Sequence, residues 1–407
     1  MDELPIGRRV AYWRSRRKLS QQVFADRLGK SKSWVDKVER GVRRLDKFSV
    51  LHDIADILQI DVSLLLGRDP ERRTDALNGI DQVEVEEIRA ALEQYDKMTA
   101  YFAPAAHSPP LPDLEKAVRH AWLTYQYGRY AMLTRALPKL LRDTQAADAG
   151  FTGDQGRVAA NLLSQVYQIA SSVLRKIGEC DLAWLAADRA TVVAQRADDQ
   201  LLAGIATTRV GIALVAMGRP RPALELNVNI ANLLAPGYHD STPQGLSVYG
   251  QLLLQGAMAA ARLPDPSAVD DLLDGAEDAA NQLGGDHNHY WTSFGPTNIE
   301  LHRAAAYVEL GEGGRAVEIH QRLPEPAFNA LLPERRAHHL LDLARAYAQI
   351  GDVGNAGEML LRGDRLSPSE IRCRPIAHQV LADVLRRTRG APPCHLAELA
   401  EQMGVGV

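Results

Sequence analysis

The sequence contains few cysteines and no long apolar run. Its three cysteines, Cys180, Cys373 and Cys394, are far apart and form no CxxC pair, so neither a disulfide framework nor a cysteine-rich zinc site is indicated. No stretch approaches the roughly 18–20 apolar residues that a membrane span requires, and the N-terminal segment MDELPIGRRV lacks the apolar core of a signal peptide. We therefore expect a cytoplasmic protein that does not bind membranes.

Common catalytic signatures are also missing. The sequence has no P-loop, no HExxH, no GxSxG and no dinucleotide fingerprint after a strand. The stretch HNHYWTSFG contains two possible metal ligands, His287 and His289. However, no third ligand lies at a helical spacing, and both side chains also suit helix caps or surface positions. Trp291 and Phe294 of the same stretch are expected in the core between repeats, and the alternative is that they line a ligand pocket at a repeat edge. We predict a protein that is not an enzyme, with no cofactor and no bound metal.

Positive charge is concentrated at the N-terminus. Residues 1–50 contain 14 Lys or Arg against 6 Asp or Glu, whereas the whole chain has a net charge of −4. A basic N-terminal module attached to an acidic remainder is typical of a phosphate-binding domain joined to one that does not touch nucleic acid. The first module is therefore a candidate DNA-binding domain.

Two short helices are indicated inside this basic module. In LSQQVFADRLG, residues 19–29, Ser20 is a good N-cap and Gly29 ends the helix. In GKSKSWVDKVERG, residues 29–41, Ser31 is the predicted N-cap and Gly41 ends the helix. Two short helices joined by a tight glycine turn form the helix-turn-helix arrangement, in which the first helix braces the second.

The second helix has a narrow apolar stripe. Val35 and Val38 point inward at helical spacing, while Ser33, Lys37 and Arg40 lie on the opposite face. Such a face is either solvated or in contact with a polyanion. The bracing helix before it favours DNA, because its neighbour supplies the stability that two valines alone do not.

Residues 6–66 resemble the lambda-repressor-like, or XRE, helix-turn-helix domain, through SQQVFADRLG, KSKSWVDKVERG and the closing LHDIADILQIDVSLLL. The resemblance implies a five-helix fold and a set of DNA contacts. Gln21 would contact phosphate, Lys32, Ser33, Asp36 and Lys37 would read bases, and Arg40, Arg43, Arg44 and Lys47 would touch backbone or minor groove.

Some of these side chains have simpler interpretations. The lysines and arginines could be solvated, and Asp36 could orient a neighbouring cation instead of accepting from cytosine. The resemblance also implies that Glu39 pairs with Arg14 for structural reasons. Trp34, larger than the usual residue at its position, is expected to pack against the domain.

A boundary lies between this domain and the rest of the chain. GRDPERRTD is polar and turn-prone, VEVEEIRAALEQYDKM has Ile88, Leu92 and Tyr95 at helical spacing, and APAAHSPPLP has four prolines within nine residues. We predict a DNA-binding domain at 1–68, a linker with one helix at 69–112, and a repeat domain at 113–407. The linker helix would either contribute to a dimer contact or cap the array.

A repeat is visible from about residue 113. IGECDLA, MGRPRPA, LGEGGRA and IGDVGNA share an aliphatic residue, Gly, four residues and Ala. Each Gly, at 178, 218, 311 and 351, follows a small residue by seven positions, which suits two helices that cross closely around a turn. A further unit is expected around Pro264, with less regular pairs near 113–147 and 370–402.

The spacing resembles the tetratricopeptide repeat, so an all-α solenoid of about six to eight helical pairs is expected. The repeat geometry implies that certain first-helix positions line a binding groove. The polar residues at those positions are Gln165, Gln168, Thr208, Asn298, His338 and Arg345. Without a ligand they would be ordinary solvated groove residues.

The order of the two domains resembles that in two groups of bacterial regulators. One is the peptide-sensing RRNPP group used in quorum sensing. The other is a set of actinobacterial XRE and tetratricopeptide regulators, whose FGPTN and LH stretch is similar to residues 294–302 of this chain. The resemblance implies a homodimer that binds a pseudo-palindromic operator in double-stranded DNA, with a peptide or small-molecule effector in the groove. Two alternatives are a protein-interaction adaptor and a ligand-independent dimeric repressor.

Overall fold

The computed structural model describes residues 6–17, 19–43, 50, 54, 57–58, 80, 82–93, 108–235, 242–263 and 265–406. The chain divides into two compact units, Met1–Ala76 and Leu77–Val407. Across the described ranges the secondary structure is helical, with one isolated antiparallel bridge between His287 and Phe294. None of these helices is long and apolar enough to cross a membrane. The predicted all-α class is confirmed.

The first unit contains α1 (Ile6–Arg16), α2 (Gln21–Arg27) and α3 (Lys32–Glu39). The predicted N-caps are confirmed, since Ser20 Oγ accepts from Val23 N at 3.2 Å and Ser31 Oγ accepts from Trp34 N at 3.1 Å. Gly29, with φ at 63°, ends the first of these capped helices at the predicted turn. Of the closing segment, Ile54, Ile57 and Leu58 are described; Ile54 and Leu58 are buried in the core of this unit, and Ile57 packs against it.

The second unit begins, in its described part, with α4 (Gln82–Glu93), which buries Val85, Ile88 and Leu92. These side chains join the same core as the following helices, and α4 packs against α6. This packing is that of a cap on the helical array, which is one of the two places expected for this helix. Tyr95 lies outside the described residues.

Six helical hairpins follow in the described residues. The pairs are α5 (Leu111–Gln126) with α6 (Tyr130–Gly150), α7 (Gly153–Lys176) with α8 (Cys180–Ala194), α9 (Gln200–Ala216) with α10 (Pro220–Leu234), α11 (Pro243–Ala261) with α12 (Pro266–Leu283), α13 (Pro296–Glu309) with α14 (Gly313–Arg322), and α16 (Pro333–Gln349) with α17 (Val353–Leu366). Two further helices follow, α19 (Pro375–Arg387) and α20 (Cys394–Gln402), and both pack against α17. Short helices α15 (Glu325–Ala330) and α18 (Pro368–Arg372) lie between the later helices.

The repeat pattern read from the sequence is confirmed at its turns. Gly178, Gly218, Gly311 and Gly351 each lie between the two helices of a hairpin, with φ from 74° to 91°, a conformation that glycine adopts without steric cost. Small residues occupy the helix crossings, as at Gly211, where an added Cβ would lie 2.2 Å from the Asn227 amide nitrogen. The unit expected around Pro264 is present as α11 and α12, although Pro264 itself lies outside the described residues.

Candidate functional site

The exposed face of α3 is held in place by apolar packing and by one ion pair. Val35 and Val38 are buried, and a Cβ on Gly7 of α1 would lie 1.9 Å from the Val38 carbonyl oxygen, so the backbones of α1 and α3 are in close contact. Arg14 Nε lies 2.5 Å from Glu39 Oε1, and Glu39 is itself buried. The structural pairing that the resemblance implied for these two residues is present.

Several of the DNA-contact residues implied by the resemblance lie exposed on this surface. Lys32, Ser33 and Lys37 are exposed, and the Arg43 guanidinium lies 5.9 Å from the centre of the Trp34 ring. Trp34 packs against the core of the unit, as expected. Together they form a short basic surface on and beside one helix. Arg44 and Lys47 lie outside the described residues.

Three other members of that set have partners within the protein. Gln21 Nε2 donates to Glu39 Oε2 at 2.7 Å, so its amide nitrogen is engaged with the Arg14–Glu39 pair. Asp36 Oδ2 lies 2.5 Å from Arg40 Nη2. Orientation of a neighbouring cation was one of the two roles considered for Asp36, and this contact has that geometry.

The second candidate site is a cavity of about 380 Å³ within the solenoid. Its wall comes from α5, α7, α8, α9, α11, α13, α16 and α19, so residues far apart in the sequence meet there. Ile212, Met258, Leu301 and Ile376 supply apolar surface. This volume lies within the usual range for small-molecule sites.

A buried ionic network lies at one end of this cavity. Lys176 Nζ lies 2.5 Å from Glu334 Oε1, 2.5 Å from Glu370 Oε1 and 3.2 Å from His338 Nδ1, and its side chain has no exposed surface. Glu370 also accepts from Arg374 at 2.6 Å. Charges that are fully paired in this way avoid the large desolvation cost of a lone buried ion.

The network fixes the charge states of its members. Burial alone would raise the pKa of Glu334, but the Lys176 ammonium holds it well below its usual value. Burial, together with Arg374 and Lys176, lowers the pKa of His338 well below its usual value, so this imidazole is neutral. Glu334, His338 and Glu370 bring three possible metal ligands within 4.8 Å of one another, but the Lys176 ammonium already lies among them.

The loop at residues 284–295 crosses from α12 to α13 and contacts three other helices. His287 N donates to Phe294 O at 2.8 Å, and the buried Phe294 ring fills the space left by Gly250. Tyr290 OH donates to Asp199 Oδ2 at 3.0 Å. The rings of His287 and His289 stack at 5.3 Å, without a third ligand in the described residues.

Trp291 of this loop packs against the solenoid core, as expected. Its ring stacks on Trp122 with centroids 5.7 Å apart, and the indole N–H groups of both donate to Gln165 Oε1. Trp291, Tyr290 and Ser293 all have positive φ, a costly conformation for residues other than glycine. The contacts of the loop hold it in this shape.

The six groove residues from the repeat geometry are not brought together. His338 and Arg345 line the cavity, and Gln165 lines a separate hollow beside Trp291. Gln168, Thr208 and Asn298 are buried among helices and line neither. The amide of Asn298 has no hydrogen-bond partner among the described residues.

Several residues of the cavity were not predicted from the sequence. Lys176 lies in the last turn of α7 and Glu334 in the first turn of α16, where the helix dipole favours these residue types without any ligand. Arg374 lies between α18 and α19. Arg175 and Arg209 belong to helices whose repeat pattern was recognised, but neither occupies an expected groove position. Their spacing in the sequence contained no signal that they meet.

A family of known proteins matches the first of the two units. Residues 5–66 match a helix-turn-helix domain family. The N-terminal unit is a helix-turn-helix domain. This match does not extend into the solenoid, and no curated protein matches the chain.

Two solved structures are similar over most of the chain at low identity. The structure of Bacillus thuringiensis PlcR in complex with the peptide PapR7 and DNA shares 12% identity over 89% of this chain and 98% of that chain, with a TM-score of 0.35. Aspartyl phosphate phosphatase F from Bacillus subtilis shares 10% identity over 89% of this chain and 93% of that chain, with a TM-score of 0.43. Neither is close enough to transfer a role to residues of this chain.

Proposed function

We propose that this protein is a sequence-specific DNA-binding transcription regulator whose solenoid binds an effector that changes DNA affinity. The observation that supports DNA binding is the exposed face of α3, where Ser33 and Lys37 lie opposite the buried Val35 and Val38. Lysine at such a position can donate to guanine O6 and N7 in the major groove. The basic excess of residues 1–50 would attract the phosphate backbone.

The protein acts, in this proposal, as a homodimer. Helix-turn-helix proteins commonly bind as dimers whose recognition helices lie about 34 Å apart, one turn of DNA. A dimer with this spacing reads a pseudo-palindrome. The basic N-terminal unit separates this proposal from an adaptor, which would not need that charge.

The cavity in the solenoid favours a sensor over a solenoid that only dimerises. A scaffold needs packed helices but gains nothing from a lined cavity of about 380 Å³. An effector in this cavity changes DNA binding only to the extent that it prefers the DNA-bound arrangement or the free one. Equal effector affinity in the presence and absence of operator DNA would contradict the proposed coupling between effector binding and DNA binding.

The first experiment is selection of a random duplex DNA library on the purified full-length protein at moderate salt. We expect a two-fold symmetric motif with half-sites about ten base pairs apart. If no motif is enriched and all sequences bind alike in a salt-sensitive way, the protein without effector does not recognise a specific sequence, which would contradict the proposal.

The selected site then tests the roles of individual side chains. Lys37→Ala is expected to cost about 1–3 kcal/mol of binding free energy at that site and to relax one base preference, because a base contact is lost. Arg43→Ala should weaken all sequences alike. Lys116→Ala removes an exposed lysine on α5 and is the control. This variant should change neither the affinity for the selected site nor that for random DNA. Equal losses on selected and random DNA for both variants would contradict the assignment of Lys37 as a base reader.

A further inference from the structure

The charges around the solenoid cavity do not balance. Seven cationic side chains line it, against the carboxylates of Glu309, Glu334 and Asp342. Glu370, just outside the lining, is the only further carboxylate that pairs with these cations in the described part of the chain. The cavity therefore has three more cations than carboxylates.

The pairing pattern shows which cations use the available carboxylates. Lys176 and Arg374 contact Glu334 and Glu370, as described above. Arg345 Nη2 lies 2.7 Å from Glu309 Oε1 and Arg345 Nη1 lies 3.3 Å from Asp342 Oδ1. Arg262 Nη1 lies 2.6 Å from Glu309 Oε2. All four carboxylates are thus engaged.

Three arginines remain without a carboxylate among the described residues: Arg175, Arg209 and Arg335. Arg209 and Arg335 each bury their Nε atom with no hydrogen-bond acceptor in this part of the chain. The Arg209 guanidinium lies 5.6 Å from the centre of the Trp122 ring, which orients it without neutralising it. Buried donors that lack an acceptor are rare in proteins and call for a missing partner.

Two of these guanidinium groups act on the charge of the third. Burial lowers the pKa of Arg209; among the nearby groups, Arg335 and Arg175 lower this pKa further, whereas Tyr125 and Glu334 raise it. Like charges gathered at one site repel, and an anion between them removes that repulsion. Arginine also presents paired donors that match carboxylate, sulfonate and phosphate oxygens.

We propose that this cavity binds a small organic anion with an apolar body. Arg175, Arg209 and Arg335 bind the anionic group, and Ile212, Met258 and Leu301 contact the apolar part. The proposal rests on the effector site of the proposed function and adds the chemical class of the effector. The cavity volume of about 380 Å³ suits a small molecule better than an extended peptide of many residues.

The test uses the fluorescent sulfonate 8-anilinonaphthalene-1-sulfonate and its uncharged analogue N-phenyl-1-naphthylamine with the full-length protein. We expect saturable binding of the sulfonate, at least tenfold tighter than that of the analogue. Arg209→Gln and Arg335→Gln should each weaken sulfonate binding about tenfold and leave the analogue unaffected. Equal binding of both dyes, or sulfonate affinity that neither variant changes, would overturn the anion site.

Two controls separate local from global effects. Arg322→Gln changes an exposed arginine on α14 and should leave sulfonate affinity unchanged. Arg335→Lys keeps the positive charge and should retain most of the sulfonate affinity. A loss of affinity equal to that of Arg335→Gln would overturn the electrostatic role of Arg335. Helical circular dichroism of every variant verifies that the fold is retained.

Competition decides the size class of the ligand. Octanoate should displace the sulfonate dye, whereas a ten-residue acidic peptide should not. Displacement by the peptide and not by octanoate would overturn the assignment of a small anion. The dye assay contains no DNA, so its failure leaves the DNA selection experiment intact, and failure of that selection leaves the dye result intact.

Discussion

In the helix-turn-helix unit, Lys32 and Lys37 lie exposed on a helix of eight residues. In the solenoid, Arg209 and Arg335 line a cavity and bury their Nε atoms. The two units therefore present positive charge in different ways. An exposed basic face suits a large polyanion that remains hydrated, whereas a cavity suits a ligand small enough to enter it and lose part of its water.

The ion pairs differ in the same sense. Asp36 and Arg40 of α3 pair at the surface, with side chains 40% and 60% exposed, whereas Lys176 and Glu370 of the solenoid are fully buried. Exposed pairs contribute little to stability because water screens them. Breaking a buried pair leaves an uncompensated charge in a medium of low polarity. The following changes test this contrast, from the largest expected effect to the smallest.

Lys176→Met is expected to lower the free energy of unfolding of the solenoid by about 3–5 kcal/mol, because Glu334 and Glu370 lose the cation that both contact. Urea denaturation followed by circular dichroism measures this change. Arg386→Met removes an exposed partner of Asp383 and should cost less than about 1 kcal/mol. A similar small loss for both variants would remove the contrast between buried and exposed pairs.

The stability of the solenoid should fall as the pH falls from about 6.5 towards 4. Burial, then Arg335, lowers the pKa of His302 to about 4, from 6.5 in the unfolded chain. Between these values the unfolded chain binds a proton that the folded chain does not, so His302 alone reduces the free energy of unfolding by about 3 kcal/mol at pH 4.

His302→Asn removes this titration and keeps a donor for the Asn298 carbonyl, the partner of His302 Nδ1. We expect urea denaturation at several pH values to show a weaker pH dependence in this variant. His395→Asn, at an exposed position on α20, should retain the dependence of the unchanged protein. Identical slopes for all three proteins would contradict a neutral, buried His302.

Asp36→Asn is expected to change stability by only about 0.3–0.5 kcal/mol, because its pair with Arg40 is exposed. Loss of a negative charge from the basic face should instead tighten binding to random duplex DNA. Denaturation and DNA titration on the same protein measure the two effects. A stability loss of several kcal/mol, or weaker DNA binding, would mean that the pair organises α3 instead of balancing its charge.

The local structure of both units was predictable from the sequence. Ser20 and Ser31 cap their helices because a short hydroxyl side chain accepts from backbone N–H groups two or three residues later, and this requires no distant partner. Gly178 and its equivalents turn the chain because glycine adopts positive φ freely. These effects act over a few residues, so the linear pattern contains them.

The structure places the six predicted groove residues at different sites, for an identifiable reason. The repeat geometry placed His338 and Arg345 on the cavity wall, and both line it. Thr208 and Gln168 occupy equivalent positions, but neighbouring helices cover them. Which side chain of a first helix reaches the cavity depends on how adjacent hairpins pack, and the spacing within one hairpin does not specify this.

The sequence by itself determined the N-caps and glycine turns of the helix-turn-helix unit, the helical hairpins, and the concentration of basic charge at the N-terminus, because these follow from neighbouring residues. Only the tertiary structure decided which charges are paired. Lys176 and Glu370 are 194 positions apart, yet their side chains are in contact, while Arg209 and Arg335 line the same cavity without a carboxylate partner among the described residues. Electrostatic energy depends on distance and burial in space, and a linear sequence specifies neither until the chain has folded.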